Sequence, residues 1–538
     1  MDLVINDVLI PDFKTQKFVK GCVGINKGRV VEVSQAPLKG EVVLDGKEAY
    51  LSPGLIDCHC HIESSYLIPS QFGTQALKRG VLHIVADCHE IANVAGRKGL
   101  EFFIKDSENT KCNILFAVPS CVPATSFATS GGEITLEDVE TLFHYEKVVA
   151  LGELMNYEGV INKEEKFVKM IELAKKYGKV VNGHAPKLTG EKLRAYVSAG
   201  IEDDHENETY EEVLEKIQAG LKVFIREGSA EHTKDKAYEI IKEYSEKVMF
   251  CSDDKTAEDL ITLGHIDYNL RKAISLGIEP ILALKVATYN GLLHYGLKEF
   301  AEVKVGNRAY FVLFDKNFKV RKLVIDGEVY DVKNVKSKVS DVPEFLLNSF
   351  KVRPIENVPR VKHHELCILV RDGSLITEKL VLAGHDQEYD LENDILKIVN
   401  IERYGHGNRS AGKIKGFGLK RGAIATSVSH DCHNILAVGT SDKAIKAVVN
   451  AIIENQGGLA LFDEKEVYLV SLRVGGIVSN EEAESLVKKL RFLKEKAKEL
   501  GSPLTDPFAT LSFMALEVIP HIKLTDKGLF DVDRFCYF

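Results

Sequence analysis

The chain has 538 residues, 45% apolar and 28% charged, which excludes a wholly disordered, collagenous or membrane-embedded protein. Its 70 Lys and Arg against 79 Asp and Glu leave a formal charge of −9, which argues against a nucleic-acid surface and favours a small-molecule ligand. There is no apolar run of ~18 residues and no signal-peptide pattern at the start, so a cytoplasmic protein with reduced cysteines and no membrane contact is expected.

The length predicts two or three domains. Residues 2 to 50 alternate short apolar runs with turn signals (LVINDVLI, CVGINKGRVVEV, EVVLDGKEAYL), the pattern of β-hairpins. From Pro53 to about residue 300, apolar runs alternate with amphipathic stretches, as in repeated βα units. Candidate strands fall at 54–59, 81–87, 113–119, 147–153, 179–184, 200–205, 221–226 and 247–253, eight in all. Helical patterns lie between them, such as EEKFVKMIELAKKYG with Phe167, Ile171 and Ala174 on one stripe. Eight units in about 250 residues predict a (β/α)₈ barrel, with an open doubly wound sheet as the alternative. The β texture returns at about 302.

The expected architecture is therefore α/β. A TIM-like barrel (53–301) is inserted in a small β-sandwich (1–52 and 302–340), and a C-terminal α+β domain (341–538) closes on the barrel. In that last region CILV, AIATSV, NILAVG and VYLVSL read as strands, and 442–456 and 480–500 as helices, the second a solvated surface helix.

A barrel of this kind carries its active site at the C-terminal ends of its strands. Several predicted strands end in metal-ligand types: His59 and His61 on the first, Glu153 on the fourth, His184 on the fifth, His205 on the sixth, and Asp253 followed by Asp254 on the eighth. Two residues apart on an extended chain, His59 and His61 face the same side. Imidazoles and carboxylates together suit a divalent ion, and a shared carboxylate suits two ions. A structural zinc knot built on Cys58 and Cys60 lacks a second Cys/His cluster at finger spacing.

Pro53-Gly54-Leu55-Ile56-Asp57-Cys58-His59-Cys60-His61 resembles the first-strand signature of the amidohydrolase superfamily. The stretches His61-Ile62-Glu63-Ser64-Ser65, Val85 to Val94, Gly416 to Ala425 and His430-Asp431-Cys432-His433-Asn434 are similar to the prokaryotic adenine deaminase family. The resemblance implies hydrolysis of adenine to hypoxanthine and ammonia in purine metabolism, with a metal-activated water as nucleophile. It also implies two divalent ions, manganese or iron with zinc as a further option. His59, His61 and Asp253 would hold one ion, His184 and His205 the other, and Glu153 would bridge them. Asp253 is expected to move the water proton to the leaving amine. Glu90, assisted by Asp87 and His89, is expected to protonate or hydrogen-bond the purine ring. His430, Asp431, His433 and Asn434 are expected to bind substrate or close the site. A homo-oligomer is expected. The alternatives are a related hydrolase of cyclic amides or N-acyl compounds, and a non-catalytic barrel that only binds its ligand.

Other signals carry less. Asp87 to Glu90 also reads as a helix N-cap with an acidic first turn. Gly407 to Lys413 is spaced like a phosphate-binding loop, but Ile414 stands where a hydroxyl is required. The H-x-E and P-C-x-x-C motifs of the zinc nucleobase deaminases are absent from the sequence.

Overall fold

The computed structural model describes residues 1–384 and 386–538. The eight predicted barrel strands form and neighbour one another in chain order. Leu55–Cys60, Val81–Asp87, Asn113–Val118, Val148–Leu154 and Val180–Gly183 make one parallel sheet, and Asp203–Asp204, Lys222–Arg226 and Val248–Cys251 a second. Glu202 N donates to Val181 O at 3.0 Å and joins the two sheets. The ring closes where Asp253 N donates to His59 O at 2.9 Å and His61 N to Asp253 O at 3.1 Å. The closing seam therefore runs through three of the predicted ligands.

Every residue of Leu55–Cys60 and Val81–Asp87 is buried. Helices cover one face and barrel contents the other, so these strands read as apolar runs without alternation. Gly54 is required at the start of the first strand, because a Cβ there would lie 2.5 Å from the Leu82 side chain.

The small β unit differs from two separate layers. It is one seven-stranded sheet in which the 12-residue strand Val42–Pro53 pairs in parallel with Leu3–Asp12 and antiparallel with Tyr310–Phe314. The sheet encloses an apolar core that includes Ile5, Val23, Leu51, Phe311 and Val324. One long bent strand satisfies the ladders of both halves, so no open edge forms between them.

In the C-terminal region the four predicted strands lie within an eight-stranded sheet, beside the helix Asp442–Asn455. The stretch spaced like a phosphate loop is the strand Arg409–Lys415, with no helix behind it. The helix Ala483–Glu499 does more than face solvent. It buries Leu486, Val487 and Leu493, and ion pairs tie it to barrel residues: Glu484 to Lys78 at 2.6 Å, and Arg491 and Lys494 to Glu258 at 2.7 and 2.6 Å. Among the described residues no helix is long and apolar enough to cross a membrane.

Candidate metal centre and active site

The strand ends bring His59, His61, Glu153, His184, His205 and Asp253 to one rim. Glu153, 3% exposed, lies at its centre. Its Oε1 is 3.4 Å from His61 Nε2, and its Oε2 is 2.8 Å from His184 Nδ1 and 3.2 Å from His205 Nε2. Asp253 Oδ1 lies 3.1 Å from His61 Nε2 and 3.5 Å from His59 Nε2. One carboxylate oxygen of Glu153 thus faces each group of imidazoles.

The donor atoms fit divalent cations. His59, His61 and Asp253 form one group with ligand atoms within 4.8 Å of one another, and His59, Glu153 and His205 form a second. His59 Nε2 and Glu153 Oε2 are buried without an aligned hydrogen bond, although the imidazoles stand within ion-pair distance of the carboxylate. Lone pairs converging on a shared point, without protons between them, are what a cation satisfies. His61 Nδ1 lies 2.8 Å from the Asp87 carbonyl, which only accepts, so the proton sits on Nδ1 and Nε2 is free to ligate.

Local backbone geometry aims these side chains. Asp253 has φ 54°, a left-handed conformation that Asp tolerates, and its carboxylate turns across the mouth. Asp87 Oδ2 accepts from Glu153 N at 2.9 Å. Gly152 permits that approach, because a Cβ there would overlap the Asp87 carboxylate. The helix His89–Asp106 is not capped by Asp87. Its Ile91 amide donates to Glu63 Oε1 at 3.1 Å, which leaves Asp87 to anchor Glu153. Asp254 turns aside to accept from the Ser64 hydroxyl.

The second region reaches the same mouth. His430 Nδ1 meets one oxygen of Glu90 and His433 Nε2 the other, across more than 300 residues of sequence. Ser429 N donates to His433 Nδ1 at 3.3 Å, so that ring donates to Glu90 through Nε2. Burial pushes His433 down to about 4, in keeping with a neutral ring. Burial opposes the charge on Glu90, yet the His430, His433 and His89 imidazoles hold it well below the usual carboxylate range. His89 Nε2 is 3.4 Å from Glu90 Oε1, while its Nδ1 is 3.7 Å from Glu153 Oε1. His89 therefore stands between the two clusters. Asn434 is turned to Arg403 N and Thr129 O, at 3.3 and 3.4 Å, and anchors its own segment. Burial and Glu90 push the Asp431 carboxyl up to about 6.

Several groups were not singled out from the sequence. Glu206 Oε1 lies 3.6 Å from His205 Nε2 and 3.7 Å from His184 Nδ1. Arg226 donates to Asp253 Oδ2 at 2.7 Å and to Glu206 at 2.5 Å. The search for polar strand ends reaches Arg226, which ends the seventh strand, but guanidinium is no metal ligand. Glu206 simply follows His205. Replacing Arg226 with Met is expected to weaken divalent-metal affinity about 10–100-fold, as loss of a group that orients a ligand does. Metal titration of the apoprotein checks this, and unchanged affinity would mean that Asp253 needs no such partner.

Comparison with known proteins agrees over the whole length. Residues 50–330 match the amidohydrolase family, and residues 374–536 match the adenine deaminase C-terminal domain. An adenine deaminase of Methanosarcina mazei is 38% identical over 549 aligned residues, covering 98% of this chain and 97% of the relative. One from Sulfurovum sp. is 41% identical over 494, covering 91% and 92%. One from Thermosipho melanesiensis is 36% identical over 553, covering 99% and 96%.

Proposed function

The chain belongs to the adenine deaminase family within the amidohydrolases, and from that premise we propose that it hydrolyses adenine to hypoxanthine and ammonia in purine metabolism. The observation that carries this reading is the full-length match to adenine deaminases together with the six-residue donor rim around Glu153. In the reaction a C6–O bond forms, the C6–N6 bond breaks, and a water proton reaches the departing amine.

His59, His61 and Asp253 are assigned to one ion, His184 and His205 to the other, and Glu153 to both. Manganese or iron is our choice, since imidazole and carboxylate suit either. A divalent pair bound there would supply a water acidified to a pKa of about 7. Asp253 is assigned the proton transfer, because its Oδ2 is held by Arg226 while its Oδ1 faces the rim. A placed acid or base of this kind is worth about 10²–10⁴-fold. Glu90, ionised between two imidazoles, is assigned to orient His430 and His89 toward the purine ring, which accepts a proton as C6 is attacked. Asp87 holds Glu153 through its backbone amide. A cytoplasmic homo-oligomer completes the reading.

The test is turnover of adenine, followed by its spectral change to hypoxanthine and by ammonia release. Exhaustive chelation is expected to bring the rate to background, and manganese or iron to restore it. A metal-replete preparation that opens a cyclic amide and leaves adenine untouched would overturn the proposal.

A further inference from the structure

We propose that Asp431 accepts a hydrogen bond from the N–H of the five-membered ring of the free base, and thereby selects adenine over purines substituted at N7 or N9. This rests on the deamination reading above.

The segment around Asp431 is tied down on both sides. His430 N donates to Ser512 O at 2.9 Å, and the His430 ring stacks on Phe513 with centroids 4.4 Å apart. The Cys432 carbonyl accepts from the Tyr404 hydroxyl at 2.6 Å. His430 and His433 both engage Glu90, and Asn434 spans Arg403 and Thr129. Against this background Asp431 is buried, 7% exposed as a residue, and no hydrogen bond or ion pair to another described residue satisfies its carboxylate. The charges that act on it belong to Glu90, His89, His430 and Glu153, the side chains of the barrel mouth. A buried carboxylate without a donor is costly, and nothing in the packing of this segment uses it. Its position on a rigid segment over the mouth points to a donor that arrives with the substrate.

The chemistry narrows the donor. An ionised carboxylate only accepts. Adenine offers N–H groups in two places, the exocyclic amine and the five-membered ring. The amine departs from the carbon under attack, beside the metal donors. The other ring nitrogens present lone pairs. The remaining partner is the ring N–H, at N7 or N9. A methyl group or a ribose at the contacted nitrogen puts carbon against the carboxylate, and one at the other nitrogen fixes a lone pair there. Sites built to hydrogen-bond a substrate N–H reject analogues lacking it by up to about 10⁴–10⁵-fold.

Purine, 7-methylpurine and 9-methylpurine carry no amine and isolate this one contact as competitive inhibitors of adenine turnover. The wild-type protein is expected to bind purine at least about 100-fold more tightly than either methyl form. In Asp431→Asn the amide can donate to the lone pair of the isomer that is methylated at the nitrogen away from the contact. The purine ratio for that isomer is therefore expected to fall within about 10-fold, while kcat/KM for adenine drops about 100-fold. Ratios unchanged for both isomers in Asp431→Asn would mean that the methyl groups are rejected by shape, and would overturn the assignment. Equal binding of the three purines by the wild-type protein would overturn it without any variant, so the test survives a variant that fails to fold. Wild-type protein that is loaded with manganese and turns over no adenine would instead overturn the deamination reading.

Discussion

Replacing Glu153 with alanine is expected to lower adenine turnover by about 10³–10⁴-fold and to leave the protein short of its full metal complement. Glu153 alone places one oxygen 3.4 Å from His61 and the other 2.8 and 3.2 Å from His184 and His205. Without it, buried imidazoles on both sides face each other with no intervening negative charge. Like-charge repulsion between two cations would then be unscreened in a site of low dielectric. Glu153→Gln keeps the volume and the backbone contact to Asp87 but removes the charge, so it separates packing from electrostatics. Metal analysis of both variants, alongside turnover, checks the result. Full metal content with near-normal turnover in the alanine variant would remove Glu153 from the centre.

Replacing His265 with alanine is expected to destabilise the protein by about 3–5 kcal/mol, the cost of leaving a buried charged partner alone. Asp57 and His265 are both 0% exposed, and His265 Nε2 lies 2.6 Å from Asp57 Oδ2. The same Asp57 oxygen accepts from the Ser252 hydroxyl at 2.5 Å, and Oδ1 accepts from Ser252 N at 3.0 Å. Asp57 precedes His59 and Ser252 precedes Asp253, so this cluster joins the first and eighth strands directly beneath the ligands they carry. Loss of the imidazole leaves a carboxylate in an apolar seam with only Ser252 and the His59 amide, at 3.4 Å, to satisfy it. His265→Gln, which can still donate, is expected to recover part of the loss. Urea denaturation with metal present measures both variants, and wild-type stability in the alanine variant would mean that the seam closes without this pair.

Seven of the eight barrel strands were legible because each is a short, buried, mostly apolar run beside an amphipathic helix, and period and length separate the two; the sixth, Asp203–Asp204, is acidic and was legible only from its place in the alternation. The rim was legible for a related reason. A polar residue that ends a buried strand has left the packed interior, and imidazole or carboxylate at several such ends has few other uses. The same rule passed over Arg226, because it looked for ligands and not for the group that holds a ligand. It passed over His265 because that residue begins a helix, and nothing local shows that its imidazole reaches Asp57 some 200 positions earlier.

The sequence by itself determined the strand order, the residue types at each strand end and the family that combines them, since periodicity and motif are local properties of the chain. Tertiary structure alone decided which donor faces which. It divided the two oxygens of Glu153 between the imidazole groups, set Arg226 against Asp253, and brought His430 and His433 onto Glu90. It also left Asp431 unpaired above the mouth. The physical reason is that hydrogen bonds and ligand geometry depend on distances of a few ångströms. Residues hundreds of positions apart acquire such distances only when the barrel closes and the second region packs across it.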